Sequence, residues 1–365
     1  MDFSIIIPTF NERENVHTIT RRIKAALVSI PISFEIWFID DSKDNTPQIL
    51  EKLAQENSEV HYIHREVGRG LGTAVVEGFT RAKGQYLIVM DADLQHPPEL
   101  LPAMIEKLQA GNEVVIPSRF IQGGSDGGLS AFRKLVSWTA RVIGQLALKK
   151  LRKISDCTGG YFGLNRKVIE NVKLDPIGWK ILMEVLIKGH YSTVSEVPYE
   201  FVDRDAGESK MSMKEQWNYL RHIAKLVWSS PHDRRFYLFC LIGGLGVIVN
   251  LSLFSLFFYK CDFHPIVASV FSSSLTMLNN FLWNDLVTWK ECGLDGKRQQ
   301  LKRFSQYFAV SMIGIGITAL TLQVFLLMNW HELLGQIAGI AIATLWNYFA
   351  NKHWTWGSNS RPNGH

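Results

Sequence analysis

The sequence predicts an α/β domain built on a doubly wound, mainly parallel sheet, followed by an all-α transmembrane domain of four helices. Before about residue 230, short β-rich runs alternate with amphipathic helical patterns, which is typical of a parallel sheet with helices on both faces. After that point come long apolar stretches with few charges. A chain of 365 residues has room for two such domains.

The first half alternates strands and helices in a regular order. The predicted strands cover residues 4–7, 35–39, 60–64, 86–90 and 114–117. The predicted helices cover residues 14–29, 46–55 and 72–83. The first helix is amphipathic, because Val16, Ile19 and Ile23 fall on one face.

Polar residues follow three of these strands, at 11–12, 40–42 and 91–93. Ligands of such sheets bind beyond the carboxyl ends of the strands, so these clusters predict a site there. Asp91 and Asp93 are spaced by one residue after an apolar strand, and their oxygens suit Mg²⁺ or Mn²⁺ holding a diphosphate. Asp40 could accept hydrogen bonds from a nucleobase or ribose. The alternative is that this polar segment caps the helix that follows.

Several basic residues are candidate anion binders. They follow a predicted strand or lie in polar segments: Arg119, Arg133, Lys134, Arg204 and Lys210. Each alone is typical of a solvated surface, but together they exceed what one diphosphate needs. The surplus favours a second, phosphorylated substrate.

Four apolar segments, 236–259, 264–283, 305–328 and 332–350, are each long enough to cross a hydrocarbon core, which takes about 20 helical residues. Basic residues concentrate before the first segment and between the second and third. The positive-inside rule then places the N-terminal domain, the middle loop and the C-terminus in the cytoplasm. Buried core helices of a soluble protein are the alternative.

The apolar half also contains a repeat. The motif Asn280-Phe-Leu-Trp-Asn284, followed by Trp289, recurs 67 residues later as Asn347-Tyr-Phe-Ala-Asn351, followed by Trp356. Two helical hairpins in the same orientation are therefore expected. The asparagines could bind a lipid head group, but contacts between neighbouring helices are the favoured interpretation.

The expected domain organisation follows from these patterns. It comprises a cytoplasmic domain at 1–211, an amphipathic interface helix and linker at 212–233, a membrane domain at 234–357 and a tail at 358–365. An ordinary domain helix is the alternative for the second segment. The net charge of +5 gives no reason to expect a nucleic-acid partner, and the four separated cysteines suggest neither a zinc site nor disulfides. No cleaved signal peptide is expected at the N-terminus.

An ordered set of motifs resembles glycosyltransferase family 2, and more narrowly the prokaryotic dolichol-phosphate mannose synthases with four membrane spans. The motifs are SIIIPTFNERENV, DDSKDNT, VMDADLQHPPE, PSRF, FRKLVS and GESKM. The apolar half resembles the GtrA-like domain. The resemblance covers nearly the whole chain and implies a sheet of the GT-A type.

The resemblance also implies roles for individual residues. The nucleotide pocket would be lined by Pro8, Phe10, Glu12 and Asp40. The metal and diphosphate would be held by Asp91, Asp93 and Gln95. The acceptor phosphate would be bound by Arg119, Arg133 and Ser137, with Arg204 bridging the phosphates of donor and acceptor. Lys210, a candidate substrate-binding base from the residue pattern, is not among the roles that the resemblance implies. The chain departs from the family at Ile39, where an acid is usual, and at Phe10, where tyrosine is common.

The function expected from this resemblance is inverting transfer of a sugar from a nucleotide-sugar, GDP-mannose being favoured, to a polyprenyl or dolichyl phosphate at the plasma membrane. Membrane lipid is then a further partner. One alternative is transfer from UDP-glucose to undecaprenyl phosphate. The other is a flippase or transporter of lipid-linked sugar with a non-catalytic transferase domain.

Overall fold

The computed structural model describes residues 1–67, 70–127, 131–201, 213–290 and 296–357. The chain forms two compact units, Met1–Ser230 and Pro231–His365. The boundary lies close to the start of the membrane domain expected from the sequence. The helix expected at the membrane interface belongs to the first unit.

The first unit contains a seven-stranded sheet. Its strands are β1 (Phe3–Thr9), β2 (Phe34–Asp40), β3 (Val60–His64), β4 (Tyr86–Val89), β5 (Val114–Ser118), β6 (Phe162–Asn165) and β7 (Val194–Pro198). The order across the sheet is β3-β2-β1-β4-β6-β5-β7. All neighbouring pairs are parallel except those of β6, which runs antiparallel to β4 and β5. The mainly parallel α/β prediction is confirmed, and β6 is the exception.

Within the described residues of this unit, seven α-helices accompany the sheet. They are α1 (Val16–Leu27), α2 (Thr46–Glu56), α3 (Leu71–Arg81), α4 (Leu101–Gln109), α5 (Ala131–Ala147), α6 (Ile181–Lys188) and α7 (Met213–Ser229). Two hydrophobic cores form on the two faces of the sheet, because alternate residues of a strand point to opposite sides. Ile6 enters one core, whereas Ile5 and Ile7 enter the other.

Close packing of α3 on β1 depends on a glycine. A Cβ placed on Gly78 would lie 2.4 Å from Cγ2 of Ile6, well inside van der Waals contact. The helix can therefore approach the central strand only without a side chain at this position. This contact fixes α3 beneath the strands whose carboxyl ends form the candidate site.

The second unit is helical. Its helices are α8 (Pro231–Ser255), α9 (Pro265–Trp283), α10 (Lys297–Leu327) and α11 (Glu332–Ala350), and α8, α9 and α11 each continue for one π-helical turn. Within the described residues, Pro231–Lys260 and Lys297–Leu327 are long and apolar enough to cross a membrane. Spanning by α9 and α11 stays a prediction.

The internal repeat is confirmed by equivalent contacts in the two halves of this unit. A Cβ on Gly246 would lie 2.4 Å from the Asn280 amide, and one on Gly314 would lie 2.7 Å from the Asn347 amide. Each asparagine thus lies against a glycine of the preceding long helix. These contacts support the helix-packing interpretation of the repeated asparagines.

Candidate active site

The loops after β1 and β2 are tied together at the carboxyl edge of the sheet. The Asn11 backbone N–H donates to Ser42 Oγ at 2.7 Å, and Asn11 Oδ1 accepts from the Lys43 N–H at 2.9 Å. Asn11 has a left-handed backbone with φ 60°, which asparagine tolerates better than most residues. Pro8 is buried, and Phe10 is exposed beside these loops.

Asp40 is buried at the end of β2 with both oxygens engaged. Oδ1 accepts from Ser42 Oγ at 2.5 Å, and Oδ2 lies 2.7 Å from Nδ1 of His64. The adjacent Asp41 makes a two-pronged ion pair with Arg65. The expected contact between Asp40 and a nucleotide therefore stays a prediction. Asp44, just before the helix, accepts from the backbone N–H and the hydroxyl of Thr46 through its Oδ1, whereas the side chain of the N-cap residue Asn45 makes no capping hydrogen bond.

The Asp91–Gln95 segment follows β4, and hydrogen bonds from its backbone N–H groups to nearby side chains hold its conformation. The Gln95 N–H donates to Asp93 Oδ1 at 3.1 Å, and Leu94 between them has φ 64°. The Asp91 N–H donates to Nδ1 of His96 at 2.9 Å. A left-handed non-glycine residue costs energy, and such residues cluster at functional sites.

The two acids of this segment fit a metal that a substrate helps to bind. In the part of the chain that the structure describes, no group of three or more His, Cys, Asp or Glu side chains could hold a metal by itself. Mg²⁺ is usually held by one or two carboxylates together with substrate phosphates. Asp91 and Asp93 are only half-buried and supply two carboxylates. Their chemistry matches a metal whose remaining ligands come from a diphosphate and water.

Arg119 follows β5 and is locked to Asp156. Its Nε and Nη2 donate to the Asp156 carboxylate at 2.8 and 3.2 Å, and the Asp156 side chain is fully buried whereas that of Arg119 is 10% exposed. Its guanidinium also lies over the rings of Phe120 and Phe201. Burial acts to lower the pKa of Arg119, but the Asp156 carboxylate outweighs burial and raises it. The guanidinium is therefore fixed in position and permanently charged.

Arg119 lines a cavity of about 480 Å³ that lies between α5, α7 and the segment before α6. Arg133 and Ser137, four residues apart on α5, line the same cavity. Its apolar walls include Leu135, Val136, Ile143, Ile177, Trp179, Tyr219 and Leu220. The structure thus brings three sequence-predicted residues into one cavity. Arg204 and Lys210 lie outside the described residues.

Two further residues belong to this region and were missed in the sequence. Asp156 holds Arg119, and Lys180 lines the cavity immediately before α6. Neither follows a strand predicted from the sequence. Spacing alone gave no signal for Asp156, because it pairs with an arginine 37 residues away.

Comparison with known proteins agrees with this architecture. Residues 4–173 match the model of glycosyl transferase family 2, and residues 238–356 match the GtrA/DPMS transmembrane domain. A dolichol-phosphate mannosyltransferase of Pyrococcus furiosus is 38% identical over 98% of this chain and 100% of its own length. One of Saccharomyces cerevisiae is 34% identical over 72% of this chain and 96% of its own length.

Among solved structures, glucosyl-3-phosphoglycerate synthase from Mycobacterium tuberculosis superposes with a TM-score of 0.47 at 18% identity, covering 62% of this chain and 79% of that one. Similarity at that level does not bear on the function of this chain. The match to the Pyrococcus furiosus protein covers 98% of this chain, and it establishes the family to which the chain belongs. The chain belongs to glycosyltransferase family 2 and carries a GtrA/DPMS transmembrane domain, so it is a membrane-bound glycosyltransferase.

Proposed function

We propose that this enzyme transfers mannose from GDP-mannose to a polyprenyl or dolichyl phosphate, with inversion at the anomeric carbon. The observation that carries the proposal is the cavity between α5 and α7. It combines Arg119, Arg133 and Ser137 with walls that are mainly apolar. A lipid phosphate has the same two-part character, an anionic head and a hydrocarbon chain. The names of the relatives from Pyrococcus and Saccharomyces support this acceptor.

The two acceptor groups on α5 share one face of the helix. Arg133 and Ser137 are four residues apart, so their side chains are neighbours. A guanidinium and a hydroxyl can bind different oxygens of one phosphate. Val136 and Ala140 line the cavity from the same face and would contact the first part of the hydrocarbon chain.

The reaction that suits these groups is a single in-line displacement. An acceptor phosphate is largely ionised at neutral pH, so its oxygen can attack the anomeric carbon without a strong general base. The nucleoside diphosphate leaves from the opposite face, and an α-linked donor gives a β-linked product. The protein's contribution is to position the two substrates and to stabilise charge. Arg119 suits that task because Asp156 and two aromatic rings hold it in place.

Asp91, Asp93 and Gln95 would hold Mg²⁺ or Mn²⁺ at the donor side of this site. Such an ion neutralises charge on a leaving diphosphate. The backbone bonds of Asp91 to His96 and of Gln95 to Asp93 keep the segment in place before substrate arrives. Arg204, which the family resemblance places between the two substrates, completes the proposed set.

The first unit also presents a face suited to the membrane surface. The side chains of Trp217 and Trp228 on α7 are 64% and 62% exposed, while Leu226 on the opposite side is buried. On α5, Leu135 and Trp138 are more than half exposed. Tryptophans on an amphipathic helix are typical of the interface between water and lipid. Together with the basic residues beside the spans, this supports a cytoplasmic catalytic domain at the plasma membrane.

The test is analysis of the lipid product made by the whole protein in detergent or vesicles. GDP-mannose and UDP-glucose are each supplied with dolichyl phosphate and with undecaprenyl phosphate, and the lipids are separated by chromatography. We expect a mannosyl lipid from GDP-mannose and at least tenfold less product from UDP-glucose. A preference for UDP-glucose would overturn the proposed donor. The absence of any glycosylated lipid would overturn the proposed reaction.

A further inference from the structure

Lys180 lines the cavity between α5 and α7, here called the acceptor cavity because the lipid phosphate is proposed to bind there. It lies at the junction between the Ile177–Gly178–Trp179 segment and α6, and it lines the cavity together with Arg119 and Arg133. Its Nζ donates to the carbonyl of Thr158 at 2.8 Å. Within the described residues, the ammonium of Lys180 makes no second hydrogen bond. An ammonium has three donors, so two remain for a ligand.

The loop that Lys180 contacts connects both sides of the candidate active site. Asp156, which precedes Thr158 by two residues, holds Arg119 of the acceptor cavity. Gly160, two residues after Thr158, lies against the metal-binding segment, since a Cβ there would be 3.2 Å from Asp91 Oδ2. Lys180 is thus hydrogen-bonded to a loop that contacts both Arg119 of the acceptor cavity and Asp91 of the proposed metal site.

Arg119 alone does not supply enough positive charge in the cavity to balance a lipid phosphate. The Arg119 guanidinium is matched by the buried Asp156 carboxylate, so this pair contributes little net charge. Glu215 also lines the cavity and adds a negative charge. A lipid phosphate carries between one and two negative charges at neutral pH. Arg133 and Lys180 are the remaining cations among the described lining residues.

The electrostatic surroundings of Lys180 fit a ligand-binding role. Burial lowers the pKa of the Lys180 ammonium, while Asp156 and Asp91 act in the opposite direction and Arg119 reinforces the burial effect. A cation that is disfavoured by burial gains more from an incoming anion than a fully hydrated one does.

We propose that Lys180 is an additional acceptor-binding residue whose ammonium contacts the phosphate of the lipid substrate. This inference rests on the proposed function, because it assumes that a lipid phosphate enters the α5–α7 cavity. Lys180 binds the phosphate through a charge-assisted hydrogen bond and orients it relative to Arg119. Lys180 acts as a hydrogen-bond donor and not as a base, since an ionised phosphate needs no base.

The test compares variants of the whole protein in detergent. Lys180→Gln removes the charge but keeps a donor for Thr158, Lys180→Met removes both, and Lys180→Arg keeps the charge. Lys107→Gln, on an exposed position of α4, is the matched control. Binding of farnesyl phosphate, of uncharged farnesol, and of GDP with Mg²⁺ is measured by calorimetry. The kcat and KM for lipid phosphate are measured in parallel.

We expect Lys180→Gln and Lys180→Met to weaken farnesyl phosphate binding by about 10- to 100-fold, the range for hydrogen bonds to charged groups. Farnesol and GDP binding should stay within twofold of wild type, and Lys180→Arg should recover part of the phosphate affinity. Unchanged farnesyl phosphate binding in both uncharged variants would overturn the inference. So would an equal loss of all three ligands, which indicates a structural role, or a loss confined to GDP, which indicates a donor contact.

Failure of the proposed function gives a different pattern. In that case the wild-type protein forms no mannosyl lipid from GDP-mannose. The dependence of farnesyl phosphate binding on the charge at position 180 is measured without turnover, so it is decided independently.

Discussion

Trp289 and Trp356 are stacked face to face, with ring centroids 4.1 Å apart and ring planes within 2° of parallel. Both are almost completely buried. They occupy equivalent positions of the internal repeat, 67 residues apart. The stack therefore joins the corresponding ends of the two helical hairpins, although the hydrogen bonding around it is unequal. Trp356 Nε1 donates to Asp285 Oδ1 at 3.0 Å, and that carboxylate also binds Arg303.

This inequality predicts that equivalent substitutions have unequal effects. Trp289→Phe and Trp356→Phe both shrink the stack, but only Trp356→Phe removes a donor from the buried Asp285. Hydrogen bonds to charged groups contribute about 1.5–3 kcal/mol, so Trp356→Phe should be more destabilising by roughly that amount. Thermal unfolding in detergent measures the difference. Equal losses would mean that stacking alone holds the two hairpins.

The carboxylates after β4 lead to a second prediction. Asp93→Asn keeps the size of the side chain and removes the charge that a divalent cation needs. We expect transfer to fall by several orders of magnitude, since metal and electrostatic contributions each supply about 3–4 kcal/mol or more of transition-state stabilisation. Activity is measured alongside GDP binding with and without Mg²⁺, because the variant should also lose the metal-dependent part of nucleotide affinity.

Glu106→Gln is the control for that experiment, because Glu106 is an exposed acid on α4. Wild-type protein in excess chelator should behave like Asp93→Asn. Full activity in either condition would show that the segment does not bind a metal needed for transfer.

The parallel part of the sheet could be predicted from the sequence, but β6 and β7 could not. The strands from β1 to β5 are apolar runs between helical patterns, and their predicted bounds agree with the structure to within two residues. By contrast, β6 is four residues long and contains Gly163, and β7 ends at Pro198. Their pairing depends on the assembled sheet rather than on local preference.

The candidate site likewise contains residues that could be predicted from the sequence and residues that could not. The sequence placed Asp91, Arg119 and Arg133 because each belongs to a motif or follows a strand. It did not predict that Asp156 fixes Arg119 or that Lys180 enters the cavity, because these contacts join segments far apart in the chain. It also did not predict that both carboxylate oxygens of Asp40 would have hydrogen-bond partners in Ser42 and His64. Motifs identify residue types, whereas tertiary packing decides which atoms remain available.

Glu184 on α6 makes the stability of the first unit dependent on pH. Burial acts to raise its pKa, but hydrogen bonds from His222 on α7, from Lys188 and from the Asp175 N–H outweigh burial and lower the pKa to about 2. A lowered carboxyl pKa stabilises the fold above the unfolded value of 4.5, and this stabilisation is lost as the pH falls from there towards 2.

Glu184→Gln should therefore reduce the free energy of unfolding at pH 7 by roughly 3 kcal/mol and flatten its dependence on pH below about 4.5. Urea unfolding in detergent, followed by circular dichroism between pH 3 and 7, measures both effects. Glu170→Gln is the comparison, because Glu170 is exposed. An unchanged pH dependence in Glu184→Gln would rule out this group as the source.

The last prediction concerns the role of the membrane domain. All proposed chemical residues precede position 211, and the first compact unit ends at Ser230. A chain that ends at Ser230 should fold and bind GDP with Mg²⁺, because its sheet and both of its hydrophobic cores are complete. It should transfer mannose poorly to long polyprenyl phosphate in a bilayer, since anchoring raises the effective concentration of a lipid acceptor.

A short, soluble acceptor such as farnesyl phosphate should recover part of the rate, because it does not have to be drawn from a membrane. Nucleotide affinity and transfer to short and long acceptors are compared between the truncated and whole proteins. Loss of nucleotide binding in a truncated chain that remains folded would make the helices of the second unit part of the donor site. Equal activity on the bilayer acceptor would show that anchoring is the wrong explanation, and a separate activity such as lipid translocation would then be the better hypothesis for that unit.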